Sequence, residues 1–340
     1  MALLHASKLI PAPGSTPTSA IPLRRPLKAY KTHVTQFLRT LYLFTANDIL
    51  TFIFPTTLFS LCGALSGPVL STNASPSVLP IVLRIPGAVC VLWINLLIFT
   101  MSNQRHPAAI REDQLDKPYR PIPSGRISSG ATQNLLLILV PIVAGCGWYM
   151  GVWQETLMLF TAQWMYNDLR GSDAHFLVRN LLNSIGYGLY SAIALRIMIG
   201  AEYVLKIEAY EWIGMIMLVM FFTQYICDIK DIEGDRSTGR KTVPIVLGDQ
   251  VCRWAIAIPV VGFSVACPTS FHLGVSSYIA TVGFGFLVAL RTLVSRHPEA
   301  DKSTWKLWAL WTCSLFVLPL TVGKEVYLPI PVVKVEGVVA

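Results

Sequence analysis

Charged side chains are scarce in this chain: Asp, Glu, Lys and Arg make up 14% of its 340 residues, against roughly 25% in an ordinary soluble domain. The hydrophobic share is 53%, more apolar surface than a soluble core would hide, and the composition points to a polytopic membrane protein. Length alone would admit two soluble domains, but apolar runs recur at short intervals and leave no soluble domain of useful size. Paired cysteine motifs are also missing. Cys62, Cys90, Cys146, Cys227, Cys252, Cys267 and Cys313 show no CxxC spacing and fall mostly inside apolar runs, which excludes a disulfide framework or zinc site and suits small buried hydrophobes.

No acidic residue precedes Asp48. Residues 1–38, with Pro11, Pro13, Pro17, Pro22 and Pro26 among Ser, Thr, Lys and Arg, read as a disordered cytoplasmic tail. An acid-free basic start also fits a mitochondrial transit peptide, although the prolines oppose the amphipathic helix that such a peptide needs. No early apolar core leads to a small-residue cleavage site, so no secretory signal is expected. The formal net charge of +8 raises nucleic acid as a partner. Lys and Arg gather in loops on one side of the apolar runs, however, instead of forming a stripe interleaved with exposed aromatics. That pattern predicts positive-inside topology and contact with a lipid bilayer, and no nucleic acid.

What the chain does have is a series of nine apolar runs near 41–63, 79–102, 133–153, 155–169, 178–200, 209–227, 251–269, 273–294 and 304–323, each near the length a bilayer demands. The expectation is an all-α fold: about nine transmembrane helices in one bundle around a central cavity, spanning 39–325, with a short tail at 326–340. Arg105, Arg111, Lys117, Arg120, Arg126, Arg170, Arg179, Lys230, Arg236, Arg240 and Lys241 fall in the inner loops. Few basic residues fall in the outer ones.

Two inner loops carry the acidic residues. The sixth–seventh connection reads Asp228-Ile-Lys230-Asp231-Ile-Glu233-Gly-Asp235-Arg236 and continues to Gly239-Arg240-Lys241-Thr242. Asp228, Asp231 and Asp235 stand at i, i+3 and i+7, so a continuing helix would place them along one face. Carboxylates so placed repel unless cations lie between them, and magnesium is content with a few carboxylates plus phosphate oxygens and water. Lys230, Arg236, Arg240 and Lys241 could hold the remainder of a polyphosphate, with Arg236 the one that reads most simply as a solvated loop charge. The second–third connection, Asn103 to Arg126, holds Glu112, Asp113, Asp116, Lys117 and Arg120. Both loops follow even-numbered spans and so lie on one face, where they can converge on a metal-bound ligand.

In these features the chain resembles the UbiA superfamily of intramembrane prenyltransferases, whose members have nine helices and two Asp-rich motifs after the second and sixth. Asp228, Asp231 and Asp235 match the family's DxxDxxxD, and Arg120-Pro-Ile-Pro-Ser-Gly125-Arg126-Ile is similar to its RP-x-PSGRI segment. The first motif departs from the usual NDxxDxxxD: Gln104 follows Asn103, and the acids come late. This form resembles the superfamily's fungal branch of membrane-bound terpene cyclases. The resemblance implies that Asn103, Glu112, Asp113 and Asp116 stand for the first metal-binding set. It further implies a magnesium-dependent lyase of terpenoid biosynthesis that ionises a linear prenyl diphosphate, farnesyl or geranylgeranyl, and cyclises the cation. The alternative is an aromatic or quinone prenyltransferase; a third class, a transporter or scaffold, is disfavoured because transport sites sit near the midplane on broken helices.

Ionisation leaves a delocalised cation and a heavily charged leaving group, so neutralising the diphosphate dominates catalysis. Asp228, Asp231, Asp235, Glu112, Asp113 and Asp116 are the candidate magnesium ligands; Lys117, Arg120, Lys230, Arg240 and Lys241 are the candidate diphosphate contacts. The prenyl chain needs an apolar tunnel closed to water. Tyr166, Tyr187, Tyr190, Phe222 and Tyr225 are candidate cation-facing aromatics, with ordinary packing or an interfacial belt as the competing role. Asn47, Asp48, Asn167, Asp168, Asn180 and Asn183 are costly inside a bilayer and are expected to face the cavity. Asp168, Asp173 and His175 read as a capped, solvated loop, and His106 is assigned no proton transfer. The location expected from the tail is the endoplasmic reticulum, with a mitochondrial membrane as the alternative.

Overall fold

The computed structural model describes residues 27–237 and 239–323; the proposed C-terminal tail and most of the proposed N-terminal tail lie outside them. The chain divides at Arg39/Thr40 into two units. Helix α1, Leu27–Thr45, begins directly after Pro26, so residues 27–38 are helical where a disordered tail was expected. Nothing in LKAYKTHVTQFLRTLYLFT breaks a helix: it contains neither proline nor glycine.

The named elements of the second unit are all helices, with α2 Phe54–Leu65, α3 Val78–Gln104, α4 Pro107–Asp116, α5 Ser129–Tyr149, α6 Trp153–Asn167, α7 Gly171–Ala174 and α8 Phe176–Ile199. There follow α9 Ile207–Thr223, α10 Ile226–Ile229, α11 Ile232–Ser237, α12 Val243–Leu247, α13 Asp249–Ser270, α14 Val275–Val294 and α15 Pro298–Phe316. Among the described residues, six segments are long and apolar enough to cross a membrane: α3, α5, α8, Ile207–Ile229, α13 and α14. Of the nine predicted spans, three are met by shorter or more polar helices. The fourth is the 15-residue α6, and the ninth is α15, whose first turns carry Glu299 and Asp301. The first is interrupted after Thr45 by a turn and a π-helical stretch, Ile49–Ile53, before the 12-residue α2. Pro55 in the first turn of α2 has no N–H to offer the preceding carbonyls, and Phe52 and Ile53 both donate to the Asp48 carbonyl (2.8 and 3.2 Å), widening the turn.

Burial separates the centre of the bundle from its rim. In α8, 67% of the spanning window is buried, whereas in α5 the figure is 22%. Ile193, Leu195 and Met198 of α8 are sealed in the main core with Leu92 of α3 and Ile216 of α9. Leu137, Ile138, Ile142 and Trp148 of α5, and Ile279, Phe286 and Val294 of α14, face outward. An apolar exterior on helices whose backbone bonds are all internal is what a bilayer requires.

Ion pairs tie the helix ends. At one end Arg84 donates to the Met198 and Ile199 carbonyls (3.5 and 3.2 Å), closing the C-terminus of α8, and pairs with Glu202 at 2.6 Å. At the start of α13, buried Arg253 forks onto Asp301 of α15 (2.7 and 2.9 Å) and also reaches Asp249. The end of α3, the start of α8 and the α9–α13 connection gather the acidic loops.

Candidate active site

The first acidic loop is anchored before it becomes acidic. Gln104, the last residue of α3, donates to the Phe44 carbonyl (2.8 Å), and Ser129 Oγ donates to the carbonyl of Arg105 (2.8 Å). Pro107 then opens α4, where its missing N–H costs nothing. Asp113 on α4 is buried and accepts two contacts from Arg120 Nη1, at 2.7 and 2.9 Å. Gly125 (φ +72°) supplies the left-handed turn that carries the chain round to α5. Asp116 ends α4 with its carboxylate against Gly234 of the other acidic loop, so closely that a Cβ on Gly234 would collide with Oδ2.

The second loop corrects one expectation. Asp228, Asp231 and Asp235 do not share one face of a continuous helix, because the chain turns between α10 and α11. Asp228 and Asp235 are buried (5% and 3% exposed), while the side chain of Asp231 is 48% exposed. Asp228 is met by Arg179 from the first turn of α8 at 2.9 Å. Asp231 pairs with its neighbour Lys230 at 2.5 Å, and that ammonium lies 5.0 Å over the ring of Trp305. Burial would lower the Lys230 pKa, yet Asp231 outweighs it and holds the ammonium above its ordinary value. Lys241 is exposed and Lys117 half-buried.

Arg240 joins the two loops. Gly239 (φ +71°) turns the chain after α11, and the Arg240 N–H donates to the Asp235 carbonyl at 3.0 Å. The guanidinium Nη1 then reaches Glu112 of α4 at 3.0 Å and Asp235 at 3.3 Å, and Nε lies 3.7 Å from Asp173 of α7. Burial pushes the Glu112 carboxyl above its ordinary range; Arg240 opposes this without cancelling it. A cleft of about 410 Å³, open mouth included, lies here, and its lining includes Asn103, Glu112, Asn167, Asp173 and Arg240. Asn103 Nδ2 donates to Asn167 Oδ1 (3.1 Å) across it.

Among the candidate aromatics, Tyr187 and Tyr190 meet around Phe52, ring centroids 4.9 and 4.6 Å away in edge contacts, and Tyr166 lies against Phe99 at 5.3 Å. Phe222 belongs elsewhere. It is 41% exposed on the outer surface of α9, grouped with Phe221 and Phe263. Tyr225 spends its hydroxyl on the Ala255 carbonyl (2.7 Å), joining α10 to α13 as a packing residue.

Some of the costly polar residues meet partners. Asn47 accepts from Tyr119 at 2.8 Å, Asp168 pairs with Arg105, and the Asn180 carbonyl accepts from Gln224 at 2.9 Å. Asp168, Asp173 and His175 do not assemble: Asp173 pairs with Arg170, and His175 Nδ1 caps α8 by accepting from the Leu177 N–H. The sequence reading missed Arg179, Asp173 and Phe52 as parts of this arrangement, whereas Asn167, expected to face the cavity, does line the cleft. Arg179 carried a usable signal, since a cation at the edge of an apolar span asks for a partner. Phe52 carried none.

A carboxylate set alternating with guanidinium and ammonium groups, beside an aromatic cluster in an apolar bundle, suits a ligand with an anionic head and an apolar body. The UbiA prenyltransferase family pattern matches residues 53–314. Somaliensene A/B synthase of Streptomyces somaliensis is 27% identical over 278 residues, 79% of this chain and 88% of that protein. Fumagillin beta-trans-bergamotene synthase of Aspergillus fumigatus is 28% identical over 287 residues, 84% of this chain and 92% of that protein. The structure of a UbiA homolog from Archaeoglobus fulgidus bound to GPP and Mg2+ superposes with a TM-score of 0.55 at 12% identity, covering 82% of this chain and 99% of the other. With a family match over most of its length and the same helical fold, this chain belongs to the UbiA prenyltransferase family.

Proposed function

We propose that the protein is a membrane-bound, magnesium-dependent terpene cyclase that ionises a linear prenyl diphosphate, farnesyl before geranylgeranyl, and folds the cation onto its own double bonds. The observation that carries this reading is Arg240 holding Glu112 of one acidic loop and Asp235 of the other (3.0 and 3.3 Å), so that both loops address one ligand. Two similar proteins named as synthases of terpenes favour cyclisation, as does the altered first motif, in which Gln104 follows Asn103. The relative with GPP and Mg2+ bound supports the same ligand class.

The residues fit magnesium. Glu112 Oε2 is buried with no hydrogen-bond partner, an oxygen with lone pairs to give. Among the described residues no three His, Cys, Asp or Glu side chains enclose an ion by themselves. That arrangement is compatible with a metal that takes one or two carboxylates and shares its remaining shell with phosphate oxygens and water. Glu112, Asp113, Asp116, Asp228, Asp231 and Asp235 would hold it, and bound there it would neutralise charge on the leaving diphosphate. Arg240, Arg120, Lys230, Lys117 and Lys241 would take diphosphate oxygens directly, and Arg179 orients Asp228. Tyr187, Tyr190 and Phe52 offer ring faces and edges to the prenyl chain, with water kept out by the apolar core. The catalytic domain in this reading is residues 39–325, in the endoplasmic reticulum membrane with the acidic loops on the cytoplasmic side.

The test is incubation of membranes containing the protein with magnesium and farnesyl diphosphate, without acceptor, and analysis of extracted volatiles. A cyclic hydrocarbon is expected. Product that forms only after a phenolic acceptor is added would replace this reading with prenyl transfer.

A further inference from the structure

Below the charged mouth, α3, α6 and α8 are stitched by polar side chains at two levels. At the upper level Asn167 accepts from Asn103 (3.1 Å) and donates to the Phe99 carbonyl (3.5 Å). One turn further along α6 and two along α3, roughly 6 and 12 Å deeper, Gln163 Nε2 donates to Tyr190 Oη at 3.1 Å and to the Asn95 carbonyl at 3.4 Å. Asn95 Nδ2 donates to the Val91 carbonyl at 2.9 Å. Asn95, Gln163 and Tyr190 are all buried (0%, 5% and 4% exposed).

Two acceptors at this lower level are unmatched: Asn95 Oδ1 and Gln163 Oε1 are buried and have no hydrogen-bond partner. Glue between helices accounts for the amide nitrogens, which are all used, but it gives the oxygens nothing. A buried acceptor without a donor is a net cost to folding, and its presence asks for another explanation. Each oxygen is the negative end of an amide dipole. Gln163 meets the Tyr190 hydroxyl at 3.1 Å, the ring of Tyr190 meets Phe52 at 4.6 Å, and Phe52 in turn meets Tyr187 at 4.9 Å. Neutral dipoles and ring faces together stabilise positive charge without a full counter-charge that would trap it.

We propose that Asn95 and Gln163 are specificity-determining residues, whose side-chain oxygens favour the cyclising cation with its charge at one carbon over its isomers. This inference rests on the cyclase reading above. The diphosphate loops would then govern whether ionisation occurs, and this amide pair which cyclic skeleton results.

The experiment uses the full-length protein in membranes with magnesium and farnesyl diphosphate, and follows inorganic diphosphate release and the hydrocarbon spectrum separately. The variants are Asn95→Leu, Gln163→Leu and the near-isosteric Gln163→Met, each with a melting temperature. The expected result is a split: the ratio of major to next product falls by roughly fivefold, the scale of one cation contact, while diphosphate release drops less. An unchanged spectrum in all three variants would overturn the inference. So would parallel loss of release, product and melting temperature in both Gln163 variants, the signature of a purely structural amide. Absence of any cyclic product from the unaltered protein would instead remove the cyclase reading, and this inference with it.

Discussion

Arg240 and Glu112 stand 128 positions apart in the chain and 3.0 Å apart in space. One guanidinium thus spans the two acidic loops, and its second carboxylate, on Asp235, is nearly as close at 3.3 Å. Both contacts come from Nη1, while Nε lies 3.7 Å from Asp173, so the extended guanidinium faces three carboxylates at once where a lysine ammonium is a single compact charge.

Replacing Arg240 with Gln is expected to lower turnover by about 10²–10³-fold, the cost of removing one preorganised donor to a developing anion. Arg240→Lys should recover only part of that loss. Diphosphate release at saturating substrate, measured beside the melting temperature, checks it; near-normal turnover in Arg240→Gln would remove the bridge from the mechanism.

Asp231 and Asp228 should separate activity from stability. The Asp231 side chain is 48% exposed and, among the described residues, pairs with adjacent Lys230, so Asp231→Ala is expected to abolish turnover with a stability change within about 0.5 kcal/mol. Asp228→Ala leaves the Arg179 guanidinium buried without its carboxylate and should cost about 3–5 kcal/mol as well as activity. Thermal unfolding and assays of the two variants side by side decide the point.

Gly239 holds φ at +71° with nothing within 4 Å of the position a Cβ would take. Gly239→Ala is therefore expected to act through backbone strain alone, about 1–2 kcal/mol, and to weaken activity by shifting Arg240. Equal stability and activity to the unaltered protein would show that this turn does not aim the guanidinium.

Chelation of divalent ions should stop diphosphate release fully and reversibly, with recovery on adding magnesium. Glu112→Gln, which keeps the shape but removes the charge of the side chain bearing the unmatched buried oxygen, should raise the magnesium concentration needed for half-maximal rate. An unchanged magnesium requirement would strike Glu112 from the ligand set.

The fold was legible where hydropathy and length speak for themselves: α3, α5, α8, α13 and α14 follow from apolar runs of the right span. It was less legible where backbone detail intervenes. The run over 41–63 is apolar apart from Asn47, Asp48 and scattered Thr and Ser, yet the chain turns there and enters a π-helical stretch before Pro55. The i, i+3, i+7 spacing of Asp228, Asp231 and Asp235 suggested one helical face; the break between α10 and α11 instead buries the outer two and leaves the middle one exposed. Phe222 and Tyr190 look equivalent in sequence, each aromatic within an apolar span, yet one faces outward and the other is sealed inside.

By itself the sequence determined the class: an all-helical membrane protein with two loops rich in carboxylates and cations, because solvent preference and charge are properties of each residue wherever it lies. The tertiary structure alone decided which charges meet. Arg179 with Asp228, Arg240 with Glu112, and the amide pair Asn95 and Gln163 are contacts between distant segments, set by how α3, α4, α6, α8, α10 and α11 pack. No local pattern encodes such a distance, since it depends on many small packing preferences summed over the whole bundle.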